Sequence, residues 1–272
     1  MEETLPARIR IENFQDTNID DLVYVCSAKR LSDPIHQQGV KLKKQWLHEM
    51  FQKYGSVAKI AYYEDTPAAQ ILYYPDEADL TKAHKRENVI VINCIYNPTP
   101  AAQKLGLGTK LLQSLIQDAK QRKTCLGNKP CRFLLAKAFN TGEFLSLSEF
   151  YKKNGFIPIP KEENLLYLPI EDQYEPLPSG ENYEPLLEDK DKAIIFYGPI
   201  CQFSYPFAQR IAELIREVAP DITIQMINEW EKPEEFINRK NWWLIVNAKP
   251  IQTFFMRTEK FKEEIRQAVS QN

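Results

Sequence analysis

The residues best suited to chemistry form a turn, Gln103-Lys104-Leu105-Gly106-Leu107-Gly108-Thr109. It follows the β-branched run ENVIVINCIY and opens a segment with apolar residues at 107, 111, 112, 115, 116 and 119. That spacing predicts an amphipathic helix. The first N–H groups of a helix have no intrahelical acceptor and carry partial positive charge. Glycine lets backbone approach an anion with no Cβ in the way. Lys104 and Lys110 add positive charge. The chemistry implied is phosphate binding. The pattern Q-x-x-G-x-G is neither a P-loop, GxxxxGK[ST], nor a dinucleotide GxGxxG. A tight strand-to-helix turn without a ligand is the alternative.

Two further residues stand out. Tyr151 lies in Phe150-Tyr151-Lys152-Lys153-Asn154-Gly155-Phe156, on an expected helix ending at Gly155. Read from the residues alone, it is an aromatic of an amphipathic helix that fills the core, with its hydroxyl hydrogen-bonded at the edge. Cys201 lies where an expected strand meets an expected helix, a place that lowers a thiol pKa. It is a candidate thiol site or a structural cysteine. No general base is singled out: Glu64, Asp65, Glu87 and His84 lie on or near strands bordering the expected cleft, and each reads rather as a solvated turn charge. Asn93 and Cys94 share the run before the turn, and strand alternation sends them to opposite faces. The five cysteines and three histidines form no CxxC or CxxH pair, which argues against structural zinc, a bound metal or a disulfide framework.

These residues need a scaffold. Over residues 1–170 we expect a helix from Asn18 to Arg30 and another from Asp33-Pro34 to Tyr54-Gly55. A hairpin follows around Asp65-Thr66-Pro67, then the central strand and the helix after the turn. Strands RFLLAKAF, FIPI and LLYLPI and the helix FLSLSEFYKKNGF complete this part. Residues 171–190 hold seven acidic residues, one base, three prolines and Gly180, and read as a linker or solvated arm. Residues 191–272 read β-α-β-α-β-β-α, ending in a hairpin of WWLIV and IQTFF and a helix from Thr258 to Val269. That order suggests an α/β/α sandwich. Trp230, Trp242 and Trp243 read as packing residues or as a recognition surface.

Length, 272 residues, allows one large domain or two modest ones. A net charge of −2 argues against a nucleic-acid binder held by a basic surface. No apolar run approaches the ~18–20 residues that span a bilayer, and the first residues lack the apolar stretch of a signal peptide. A cytoplasmic protein with reduced thiols is expected.

The Q-x-x-G-x-G turn, the strand VIVINCIY ahead of it with its proline-containing loop, and the FYxxxGF segment together resemble the GNAT N-acetyltransferase superfamily. The resemblance covers about residues 1–170. It departs in a loop with two prolines, Asn97 to Ala102, and in Gln103 where arginine is commoner. It implies an α/β, mixed-sheet acyl-CoA N-acyltransferase fold with acetyl-CoA as cosubstrate. It implies that Gln103, Lys104, Leu105, Gly106, Leu107, Gly108 and Thr109 hold the pyrophosphate, that Ile95 and Tyr96 hold the pantetheine arm, and that Tyr151 protonates the departing thiolate. The acceptor implied is an amine-bearing small molecule or peptide, and homodimers are common in the superfamily. In the C-terminal part, FYGP, SYPFA, EWEKPEEF and NWWLIVNAKPI resemble the YoaP-like domain, a small thioredoxin-like α/β/α unit. Where a thioredoxin has its redox pair, this chain has Cys201 and Ser204, and Asn241-Trp242 stand in place of the expected proline. This leaves a second reading, a coenzyme A-binding regulatory protein whose C-terminal domain senses thiols or metals.

Overall fold

Alternating and β-branched segments of residues 9–169 assemble into one mixed sheet. The computed structural model describes residues 9–28, 30–138, 146–160, 162, 164–178 and 182–270. Phe139, Phe144, Leu145, Gly180 and Glu181, which belong to the expected elements above, lie outside the described residues. The strands are β1 (Ile9–Asn13), β2 (Ala58–Tyr63), β3 (Thr66–Pro75), β4 (Ile90–Tyr96), β5 (Phe133–Lys137), β6 (Ile157–Pro158) and β7 (Leu165–Pro169). Their order in the sheet is β1-β2-β3-β4-β5-β7-β6. β4 and β5 run parallel and the other neighbours run antiparallel. Helices α1 (Ile19–Ser27), α2 (Pro34–Tyr54), α3 (Leu107–Lys120) and α4 (Leu147–Lys153) connect them. The central strands are apolar on both faces: Val89 to Ile92 and Phe133 to Ala136 are buried.

The β2–β3 hairpin turns at Glu64 and Asp65, both with positive φ (48° and 63°). Two left-handed residues give the turn a twist that matches the strands. β1, unforeseen in the sequence, pairs antiparallel with β2 from Ile9↔Tyr63 to Asn13↔Lys59. The alternation of Ile9, Arg10 and Ile11 is its signal.

The second sheet uses β8 (Lys192–Tyr197), β9 (Thr223–Asn228), β10 (Leu244–Val246) and β11 (Lys249–Pro250), in the order β11-β10-β8-β9. β8 and β9 are parallel, and β10 is antiparallel to β8 and β11. Ala193 and Ile195 pack with Ile211, Ile215, Phe261 and Ile265 of α5 (Ser204–Val218) and α7 (Thr258–Ser270). Ile194 and Phe196 pack with Phe236 of α6 (Pro233–Asn238). Helices therefore cover both faces, in the element order expected. The hairpin turns at Asn247 and Ala248, both left-handed, but IQTFF is not a strand. The N–H groups of Gln252 and Thr253 donate instead to the Glu264 carboxylate of α7, both at 2.9 Å.

The chain divides into two units. One comprises the described residues within Met1–Lys29, Leu47–Asp79 and Lys85–Leu177; the other comprises Arg30–Trp46, Leu80–His84 and those within Pro178–Asn272. The acidic segment is not uniformly solvated. In the first unit Glu171 pairs with Arg122, and Asp172 and Glu175 pair with Arg132. In the second, Asp189 is fully buried and paired with Arg239.

Candidate active site

In the first unit, β4 stays paired with β3 as far as Tyr96, yet its register with β5 ends at Ile92↔Ala136. The two parallel strands part there. On the β3 side the register jumps from Leu72↔Cys94 to Tyr73↔Ile92, which leaves Asn93 as the extra residue of a β-bulge. Simple alternation across Asn93 and Cys94, as read from the sequence, does not survive this bulge. Beyond it, Ile95 and Tyr96 lie on the stretch of β4 that has no β5 pairing.

The loop that follows is pinned at both ends. Asn97 Nδ2 donates to the Ala102 carbonyl at 3.0 Å, and Thr99 Oγ1 donates to the Ala68 carbonyl at 3.1 Å. Pro100–Ala102 form a single 3-10 turn. Lys104 and Gly106 are left-handed, with φ of 62° and 74°. Gly106 caps α3, and no side chain caps this terminus. The helical ladder begins with Lys110 N–H donating to the Gly106 carbonyl at 3.0 Å. The N–H groups of Leu107, Gly108 and Thr109 precede it and belong to the donors a helix cannot satisfy itself. A Cβ on Gly108 would lie 3.6 Å from the Phe150 ring and 3.8 Å from Ile95 Cδ1. The start of α3, the parted end of β4 and the helix bearing Tyr151 therefore meet at Gly108.

Tyr151 is fully buried, edge-on to Phe150 and tilted against Phe156 at centroid distances of 5.4 and 5.1 Å. Its hydroxyl has no hydrogen-bond partner among the described residues. Burial, with the Cys94 thiol adding to it, pushes the phenol far above its ordinary pKa of 10.0. It is held protonated, a donor with nothing to donate to. Asn97 Oδ1 is a second buried polar atom without a partner.

Gln70 of β3 was missed in the sequence reading. It is fully buried, its Nε2 donates to Cys26 Sγ at 3.0 Å, and Cys94 Sγ lies 4.0 Å away. Its signal was a lone amide inside the run Ala68–Tyr74, every other residue of which is buried and apolar.

The base candidates do not converge. Glu64, Asp65, His84 and Glu87 are exposed, and His84 falls in the second unit. Cys131 and Cys125 are buried thiols; burial pushes Cys131 up to about 12 and Cys125 higher still, which makes both inert. Cys201, in the second unit, is exposed and precedes α5, which begins at Ser204 rather than at the cysteine. Trp243 stacks with Phe261, and Trp46 meets Trp230 edge-on, so Trp230 and Trp243 serve packing. Among the described residues no group of His, Cys, Asp and Glu could hold a metal ion, and no helix is long and apolar enough to cross a membrane.

The end of the β4–β5 pairing, the glycine turn and the helix that carries Tyr151 come together around Gly108. Residues 27–156 match the acetyltransferase (GNAT) family. This span holds β2–β5, the turn and Tyr151, and the mixed α/β architecture is consistent with a GNAT fold. The chain is also similar to solved acetyltransferase structures. The PaiA N-acetyltransferase from Thermoplasma acidophilum in complex with coenzyme A shares 14% identity over 60% of this chain and 99% of that one, with a TM-score of 0.43. The ribosomal-protein-S18-alanine N-acetyltransferase from Escherichia coli shares 16% over 63% and 100%, with a TM-score of 0.40. A GNAT family acetyltransferase from Brucella melitensis in complex with acetyl-CoA shares 12% over 64% and 94%, with a TM-score of 0.40. Among curated proteins, none matches.

Proposed function

We propose that this protein is an acetyl-CoA-dependent N-acetyltransferase that acylates a primary amine of a small molecule or peptide. The observation that carries the reading is Tyr151: a fully buried, protonated hydroxyl without a partner, on the helix that meets the glycine turn and the parted end of β4. The residues fit the cosubstrate. The N–H groups from Leu105 to Thr109 supply donors for a pyrophosphate, with Gln103 and Lys104 flanking them. The stretch of β4 at Ile95 and Tyr96, which lies beyond the β5 pairing, with Asn97 Oδ1, would supply partners for the amides of a pantetheine arm. The acetyl group passes from sulfur to the acceptor nitrogen, and the amine loses a proton to water. Tyr151 gives its proton to the departing sulfur and is restored from solvent. The test is Tyr151→Phe, which should lower turnover and leave acetyl-CoA affinity unchanged.

For the rest of the chain we propose the division 1–170, 171–190 and 191–272, the last a YoaP-like, thioredoxin-like domain. The β-α-β-α-β-β-α order and the parallel β8–β9 pair support that assignment. The domain would present the acceptor or its carrier. The regulatory reading rests on exposed Cys201. It is favoured if acetyl-CoA binds and no amine is acetylated.

A further inference from the structure

Gln70 is a polar side chain inside a buried strand, and one half of its amide is unspent. Nε2 is committed to Cys26 Sγ at 3.0 Å with Cys94 Sγ at 4.0 Å, while Oε1 has neither exposed surface nor a hydrogen-bond partner among the described residues. Burying an acceptor without a donor costs free energy, and such atoms in folded proteins call for an explanation. The cost is met when a ligand brings a donor. The location indicates which ligand. Cys94, next to the Asn93 bulge, has its Sγ 4.0 Å from Gln70 Nε2, on the strand that carries Ile95 and Tyr96. Gln70 thus stands on β3 directly opposite Tyr96, at the end of β4 proposed above to hold the pantetheine arm.

We infer that Gln70 is the positioning residue for the acceptor amine, a role that rests on the acetyltransferase reading above. Its Oε1 accepts one N–H of the incoming amine and turns the nitrogen lone pair toward the thioester carbon. An amide does not take a proton at neutral pH, so Gln70 orients the nucleophile and the proton still leaves to water. The two sulfurs fix the amide plane, and the β3–β4 pairing of Gln70 with Tyr96 fixes its backbone. Preorganisation of this kind serves orientation rather than proton transfer.

The test needs no knowledge of the natural acceptor. S-carboxamidomethyl-CoA carries an amide NH2 just beyond the acyl position, where the acceptor nitrogen would come; S-acetonyl-CoA has a methyl there. Calorimetric titration of the full chain should show the amide bound roughly tenfold more tightly than the ketone, the worth of one buried hydrogen bond. In Gln70→Leu the two should bind equally, near the affinity of the ketone. Equal affinities in the unaltered protein overturn the inference, as does a preference that persists in the variant. If neither compound binds, the acetyl-CoA reading itself fails, which is a separate outcome. Gln70→Met, closer in shape, replaces Gln70→Leu if the latter does not fold, and the comparison in the unaltered protein stands without either.

Discussion

Gly108 faces Ile95: a Cβ added to the glycine would stand 3.8 Å from Ile95 Cδ1, an ordinary contact. Gly106, two residues earlier, has open space around it but a φ of +74°. The two glycines therefore answer oppositely to alanine. Gly108→Ala should stabilise the first unit by about 0.5–1 kcal/mol, since the position is helical and has room. Gly106→Ala should destabilise it by about 1–2 kcal/mol, the cost of a left-handed non-glycine residue. Denaturant unfolding of both variants checks the signs.

Tyr151→Phe should reduce kcat by roughly 10²-fold, the usual worth of a positioned proton donor. Because burial and the Cys94 thiol raise the phenol pKa, Tyr151 stays protonated through neutral and moderately alkaline pH. Any alkaline limb in the rate profile should therefore belong to another group and persist in the variant. Its disappearance with Tyr151→Phe would contradict the assigned protonation state.

The Asp189 carboxylate is fully buried and accepts from Arg239 Nη2 at 2.7 Å and Nε at 3.1 Å. Asp189→Ala removes the fully buried partner of Arg239 and leaves it Glu188 and Glu235, and should cost about 1–3 kcal/mol. Glu188 also pairs with Arg239 but is 66% exposed, and Glu188→Ala should cost less than about 1 kcal/mol. Similar losses in urea melts would refute the distinction drawn from burial.

His36, in the second unit, is buried with its ring 4.9 Å from Phe203. Burial first and Arg30 second lower its pKa from 6.5, with Asp33 opposing them. The folded state thus binds this proton less tightly than the unfolded chain. Its contribution is complete above pH 6.5 and is lost as pH falls from there through the lower folded-state value. Melting temperatures should drop between about pH 7 and pH 5, and His36→Phe should flatten that part of the curve.

Much of this was legible in the chain. The strand ending in Ile95-Tyr96, the glycine turn and the Tyr151 helix each carry a local signal in period, glycine placement or length, and each forms where expected. What escaped depends on long-range partners. The bulge at Asn93 exists only in register with Leu72 and Tyr73. Gln70 carries no local signal of this kind because its partners, Cys26 and Cys94, lie 44 and 24 residues away. IQTFF has strand composition, but Glu264 takes the N–H groups a neighbouring strand would have used. The acidic run looked solvated because Arg122, Arg132 and Arg239 are remote in sequence.

The central claim is that the turn from Gln103 to Thr109 holds acetyl-CoA. Calorimetric titration of the full chain with acetyl-CoA, without any amine, tests it most directly. Saturable binding at one site is the predicted result. No heat of binding at millimolar acetyl-CoA, from a protein shown to be folded, would contradict it.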